Sequence, residues 1–416
     1  MNEFLTKLFY LVDVTEVESV MSSFINAREI TVRKEEGMKL GGAGFNKVVV
    51  VCALVSLSAQ AQVVSKIKGV FYGDYTYNAQ NHDTAQEDIN AFSIRRVYFT
   101  FENNISKNIK TRFRLESAHD KYGESSKINP FVKHAYLEWS NLIPNHKLYL
   151  GIAETNAFKN AENLWGYRSI EKTIMDLQKI SSSADMGIAL KGDLSEKVHH
   201  WLTLMNGTGY GSSEVDPYKK IGYAFWMTPV EGLILEGYAD YEKQDPDKPA
   251  FKYGTDYTGS KGYYTFKTLI GYSGLRYSIG LEMFQRTNQE SGIKNIHIEN
   301  DMIVAGDKAD VKKTGFSVFG SLITPIPKLK VFGRYDYYDA NAEDDVATAY
   351  EDGVLSLGKD NEVRTLFAGL DYIPVGNLHF MPNIIYSSYT KSGKDADITA
   401  RFTVYYKFDT GKIVVE

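Results

Sequence analysis

The feature that most constrains this chain is a strict two-residue alternation from Asn90 to Ser117. Ile109, Thr111, Phe113 and Leu115 point one way, while Lys110, Arg112, Arg114 and Glu116 point the other, because successive strand side chains face opposite sides. Val97, Phe99 and Phe101 alternate in the same manner with Arg96, Tyr98, Thr100 and Glu102. The stretch therefore reads as a β-hairpin with one apolar and one charged face. A half-buried soluble hairpin would look the same, so the weight falls on recurrence, and the pattern continues to the C-terminus.

Sixteen strands are expected at approximately 66–78, 91–103, 107–118, 132–140, 146–154, 185–192, 198–206, 219–228, 232–242, 262–272, 274–286, 313–324, 328–339, 362–373, 378–390 and 397–408. Apolar rows are clearest in Leu275, Tyr277, Ile279, Leu281 and Met283, and in Ile398, Ala400, Phe402, Val404, Tyr406 and Phe408. The connections say more than the strands. Short links such as Asn104–Ser106, Pro229–Glu231, Ser273 and Pro325–Pro327 alternate with long ones such as 155–184, 243–261, 287–312 and 340–361. Outer-membrane barrels keep this order, with tight periplasmic turns, extended outer loops and an even strand number. A soluble sandwich or propeller has no reason to keep it, and no blade-length repeat is present.

Composition agrees. The 416 residues would allow two or three soluble domains or one large barrel, and Tyr 29 with Phe 22 against Trp 4 suits strands and interface girdles. No apolar run approaches 18 residues, which excludes a helical bundle in the membrane. A mean hydropathy of −0.30 does not count against a barrel, half of whose wall faces water. A net charge of −5 argues against nucleic-acid binding.

Residues 38–61 read as a secretory signal, with Lys39 and Lys47 basic, Val48–Leu57 apolar and Ala59-Gln60-Ala61 as the cleavage site. Residues 1–37 then read as a misassigned start or non-native extension, 62–408 as the barrel and 409–416 as a C-terminal tail. Cys52, the single cysteine, lies in the signal, and Val49-Val50-Val51 before it weaken a lipoprotein reading.

If the apolar row faces lipid, the opposite row lines a lumen, since a Lys or Arg on lipid at mid-depth costs about 2–4 kcal/mol. That row holds Arg96, Lys110, Arg112, Arg114, His134, Lys147, Arg276, Arg334, Arg401 and Lys407, with Glu102, Glu116, Glu138, Glu236, Asp240, Glu282 and Asp336 among them. Lys110, Arg112 and Arg114 form the densest cationic row, about 7 Å apart, extended by Arg96 and tempered by Glu102 and Glu116. Such a ladder biases a pore towards anions; salt-bridged wall charges that merely hydrate the lumen are the plainer alternative.

The third long connection, 155–184, is expected to fold inward as a constriction rather than lie outside as a lid, because the bore of such a barrel is wide enough to admit it. It carries Lys159, Arg168, Lys172 and Lys179, the aromatics Phe158, Trp165 and Tyr167, and a helix-like stretch Ser169–Lys179, with Glu162, Glu171 and Asp176 tempering its charge. Acidic clusters at Glu343-Asp344-Asp345, Glu351-Asp352 and Asp245 with Asp247 read as solvated loops, the alternative being divalent cations that bridge lipopolysaccharide. No catalytic motif, cofactor signature or metal-ligand spacing stands out, and His199-His200 places adjacent rings on opposite strand faces. An enzyme is not expected.

The segments Phe92-Ser93-Ile94-Arg95-Arg96-Val97-Tyr98-Phe99, Lys110-Thr111-Arg112-Phe113-Arg114-Leu115-Glu116, Ala135-Tyr136-Leu137-Glu138-Trp139 with Leu148-Tyr149-Leu150-Gly151, and Tyr405-Tyr406-Lys407-Phe408 resemble the phosphate-selective porin O and P family. The resemblance covers most of the mature chain in layout, though its motifs are short. It implies a sixteen-stranded barrel in the outer membrane of a Gram-negative bacterium, homotrimeric, with an inward third loop and a cationic constriction. The matching positions are Arg95–Arg96 and Lys110–Arg114. One departure is that Asp409–Glu416 follow Phe408, where such barrels end on an aromatic residue. The expected activity is passive diffusion of small anionic or hydrophilic solutes, phosphate among them. A non-selective general porin, or a structural or adhesive barrel with a plugged pore, are the alternatives.

Overall fold

The wall is a run of antiparallel strands, each paired with its neighbour in sequence. They are β1 (Val63–Gln80), β2 (Asn90–Asn104), β3 (Ile109–Ser117), β4 (Phe131–Ser140), β5 (His146–Glu154), β6 (Ala184–Ser195), β7 (Val198–Met205), β8 (Lys220–Met227), β9 (Leu233–Lys243), β10 (Gly262–Ser273), β11 (Tyr277–Glu299), β12 (Met302–Ile323), β13 (Leu329–Asp339), β14 (Glu362–Val375), β15 (Leu378–Tyr389) and β16 (Asp397–Asp409). β16 returns to β1 in antiparallel register from Lys68↔Asp409 to Gln80↔Ile398, which closes the barrel. The computed structural model describes residues 63–118, 128–244, 249–253, 256–299, 302–351, 354–357, 362–390, 394–411 and 413–415. The expected extension 1–37 and signal 38–61 lie outside them.

Each of the sixteen expected strands is a wall strand. The long connections are less loop-like than expected. β11 and β12 run 23 and 22 residues, roughly 75 Å at strand rise, where a tilted crossing needs about 9–11 residues. Residues 287–299 and 302–312 therefore prolong the wall as an antiparallel pair, with register shifts between Asn288/Gly292 and Lys294/His297. Their polar side chains disguised them, because beyond the bilayer strand pairing needs no apolar row. Shorter hairpins pair Pro249–Tyr253 with Asp256–Gly259 and Ala347–Glu351 with Val354–Leu357. The tail after Phe408 also joins the wall, as Ile413–Val415 pair with Val63–Ser65.

Side-chain parity follows the alternation. On β11, Tyr277, Ile279 and Met283 are exposed on the outside, while Gly280, Glu282 and Phe284 are buried within. The rule that the inward row is polar fails on the far wall, where Trp201, Trp226, Phe284, Phe319, Phe332 and Phe367 all point inward and are buried. Something apolar fills the bore against them.

Two bulges adjust the wall beside that filling. Tyr72 pairs with Arg96 but Gly73 with Ile94, leaving Arg95 as an extra residue on β2. Arg114 pairs with His134 but Leu115 with Val132, leaving Lys133 extra on β4. A bulge re-aims a side chain. Each turns one further cation inward, so that Arg95 and Arg96, like Lys133 and His134, share the lumen side although they are sequence neighbours.

Candidate functional site: the loop-filled lumen

The filling is the third long connection, which enters the bore between β5 and β6 as expected. It contains α1 (Lys159–Trp165) and a single turn, α2 (Ile174–Leu177). The helix thus lies mainly before Gly166, and the expected helical stretch Ser169–Lys179 keeps only the turn. Ala157, Phe158, Ile174, Met175 and Ile180 pack on Trp201, Trp226, Tyr238, Phe284 and Tyr338. Ala161, Trp165, Tyr167 and Ile170 pack on Leu269, Phe319, Phe332, Phe367 and Met381. Leu164 enters a notch made by the facing pair Gly271 and Gly280; a Cβ at Gly271 would stand 2.0 Å from its Cδ2. Apolar burial of this kind, ~1.5–3 kcal/mol per large side chain, explains the inward aromatics of the far wall.

Burying a loop also buries its carbonyls, which must be satisfied. Wall cations satisfy them. Arg95 and Arg401 both donate to the Ile170 carbonyl, at 2.5 and 3.0 Å, and Arg95 also to that of Ser169. Arg334 donates to the Lys172 carbonyl, Arg286 to Ile180 at 2.7 Å and Lys267 to Ala157 at 3.0 Å. Lys133 adds a bond to Ser183 Oγ at 2.6 Å. Most of these cations also meet a carboxylate: Arg95 with Asp74, Lys133 with Glu116, Lys267 with Glu236 and Arg334 with Asp336. The loop is thus tethered to β2, β4, β10, β11, β13 and β16.

Alternating charges run from the wall into the loop. Lys68, Glu102, Arg112, Glu154, Lys159, Glu162, Arg168, Asp176 and Lys172 are linked in that order at 2.7–4.0 Å. Burial alone would raise the carboxyls of Glu162 and Glu171. Lys159 and Arg168 for the first, Arg401 and Arg95 for the second, outweigh it and hold both below the ordinary carboxylate range.

These contacts sort the expected site residues. Arg334 and Arg401 anchor the loop. Arg96 pairs with Glu116 at 3.1 Å, and Arg112 with Glu102 at 2.7 Å. Lys110 is exposed at the periplasmic end, opposite Glu138 in register. In the densest expected row, only Arg114 faces the lumen with neither a carboxylate partner nor one across from it in register; its Nε donates to Thr100 Oγ1 at 2.8 Å. Arg276 lies in the turn after β10. Of the loop cations, Lys159 and Arg168 are paired, Lys172 is 3.7 Å from Asp176, and Lys179 is exposed.

Two of the lumen cavities lie on opposite sides of the loop. The one on the side of the long connections, about 480 Å³, is lined by Lys172, Lys179, Lys220 and Arg286 and by Asp176, Asp216 and Glu242. The one on the side of the short turns, about 650 Å³, is lined by Arg114, Lys159, Arg168, Arg276, Lys330 and Lys407, with Glu162 and Asp371 as its carboxylates among the described residues. Both of those acids are engaged: Glu162 with Lys159 and Arg168, and Asp371 with His379 at 2.8 Å and the Tyr167 hydroxyl at 3.2 Å. Among the described residues, Arg114, Arg276, Lys330 and Lys407 form no ion pair. Lys330 was missed in the sequence although it shares the parity of Arg334. Lys133 was missed, and Arg95 was marked only by the family resemblance, because alternation assigns both to lipid; a doubled basic pair within a strand was the available signal.

A closed antiparallel barrel of sixteen strands, apolar outside and with its third long connection folded into a charged lumen, is the architecture of a bacterial outer-membrane barrel and has the porin fold. Solved structures agree on the fold. The outer-membrane channel DcaP of Acinetobacter baumannii matches with a TM-score of 0.58 at 12% identity, over 84% of this chain and 99% of that one. OmpF of Salmonella typhi, in complex with daunomycin, matches with a TM-score of 0.57 at 12% identity, over 83% and 97%. An anion-selective porin from Comamonas acidovorans gives a TM-score of 0.57 at 11% identity, over 83% and 100%. No family model matches the chain, and no curated protein matches it.

Proposed function

We propose that this chain is an outer-membrane channel through which small hydrophilic solutes diffuse passively, with a preference for anions that extends to phosphate. The observation that carries the reading is the cavity on the periplasmic side, where six basic side chains meet two carboxylates that are already bonded. Uncompensated positive charge in a cleft with low-dielectric walls concentrates anions, and rings of Arg and Lys favour anion passage. The likeness to an anion-selective porin concerns the fold alone, so the preference rests on these residues. The test is reversal potential under a KCl gradient across a planar bilayer containing purified protein. Chloride over potassium is expected, and a potassium preference would overturn it.

A second reading, a barrel plugged by its own loop, is favoured by the tethering of that loop to six strands. Single-channel recording decides between the two: discrete conductance steps support the channel, and a silent bilayer with folded protein supports the plug.

A further inference from the structure

We propose that the outer face of the barrel, at its periplasmic rim, carries a two-histidine site for a borderline divalent metal ion such as Zn²⁺ or Ni²⁺. His146 opens β5 and His200 lies on β7, with β6 between them. Register sets them in one row, since Gly192 of β6 pairs with His146 on one side and His200 on the other. His200 shares the outward parity of Leu202 and Leu204, while Trp201 and Thr203 point inward.

Because the middle residue has no side chain, the two imidazoles close over its backbone. Their Nε2 atoms stand 2.8 Å apart, and a Cβ on Gly192 would lie 2.3 Å from His146 Cδ2. His146 Nδ1 is 2.7 Å from the Pro144 carbonyl oxygen. A carbonyl only accepts, so Nδ1 carries the proton and Nε2 presents its lone pair towards His200. A ring nitrogen bonded to a backbone carbonyl, with the other nitrogen free, is how ligating histidines are oriented. When the His200 proton moves to its own Nδ1, both Nε2 lone pairs converge. Zinc–nitrogen bonds of about 2.0–2.1 Å at a tetrahedral angle need the two nitrogens about 3.3 Å apart. Metal binding therefore requires the pair to open by about half an ångström.

Among the described residues no cluster of three or more potential protein ligands includes the pair. The remaining positions therefore fall to water or to a phosphate oxygen at headgroup level. Imidazole ligation selects Zn²⁺, Ni²⁺ or Cu²⁺ over Ca²⁺ and Mg²⁺, which require oxygen.

The test uses untagged, EDTA-treated full-length protein in detergent micelles, titrated with ZnCl₂ by calorimetry and with CoCl₂ by visible absorption. One saturable Zn²⁺ per chain and a tetrahedral Co²⁺ band are expected. His146→Ala and His200→Ala should each weaken binding about tenfold or more, with heat-modifiable migration reporting the folded barrel. His200→Gln, which keeps most of the volume and removes the ring nitrogens, serves if the alanine variant misfolds. His199→Ala should change nothing, because that ring sits 2.6 Å from Asp193 and stacks on the inward Trp226. The proposal is overturned if Zn²⁺ does not saturate, if binding survives loss of both His146 and His200, or if it disappears with His199.

Discussion

The extracellular and periplasmic cavities share one loop as floor and ceiling, yet they differ in charge. On the extracellular side four basic side chains face three acidic ones. On the periplasmic side six face two. The difference does not come from where arginines are most abundant. Arg95, Arg334 and Arg401 sit at the level of the loop and are consumed by its carbonyls and by neighbouring carboxylates. The unpaired cations Arg276, Lys330 and Lys407 lie near the short turns, where no loop backbone reaches them. The pairing of a charge, more than its density along a strand, decides what a passing ion meets.

The largest effect should come from weakening the partition between the cavities. Lys267→Met leaves the buried Glu236 without its cation, which costs about 3–5 kcal/mol. A lower heat-modification temperature and noisier, larger conductance steps are expected. Adding Glu236→Gln should recover most of the loss, because it removes the stranded charge. If the single variant is as stable as the parent, the tether does not hold the loop.

Charge reversal at the periplasmic cavity comes next. Arg276→Glu, Lys330→Glu and Lys407→Glu together should swing the chloride-to-potassium permeability ratio on the order of tenfold. Lys179→Glu in the extracellular cavity should move it less. Equal effects from both would erase the proposed asymmetry. The same contrast should fade between 0.1 M and 1 M salt as the Debye length falls from ~10 Å to ~3 Å.

Within the densest basic row, Arg114→Ala should lower anion preference, Arg112→Ala should lower it mainly by exposing Glu102, and Lys110→Ala should leave it almost unchanged. Row spacing alone would make the three equivalent, so reversal potentials for the single variants separate pairing from spacing. The smallest effect is that of mild acid. Glu162 and Glu171 titrate below the ordinary carboxylate range. Their contribution to holding the loop is therefore full above the unfolded value of about 4.3 and is lost only as pH falls through their lowered folded values. Single-channel noise should be the same at pH 7 and pH 5 and should grow near pH 3.

Much of the wall was legible because alternation is a local consequence of strand geometry. Leu275 to Met283 and Ile398 to Phe408 marked lipid-facing rows, and the rhythm of short and long links marked closure. The site was legible only in outline. Reading Lys159, Arg168, Lys172 and Lys179 as a constriction placed the loop correctly inside the barrel. Their charges, however, are largely spent on Glu154, Glu162 and Asp176. Lys330 could have been found by parity, whereas the inward aim of Arg95, and Lys133 altogether, required the bulges.

By itself, then, the sequence determined a sixteen-stranded cylinder with one greasy and one wet side, because a period of two dictates which side chains can share a face. Tertiary structure alone decided which lumen cations remain free. That depends on where the loop's carbonyls and carboxylates come to rest, and those contacts join residues such as Arg401 and Ile170 that lie 231 positions apart in the chain.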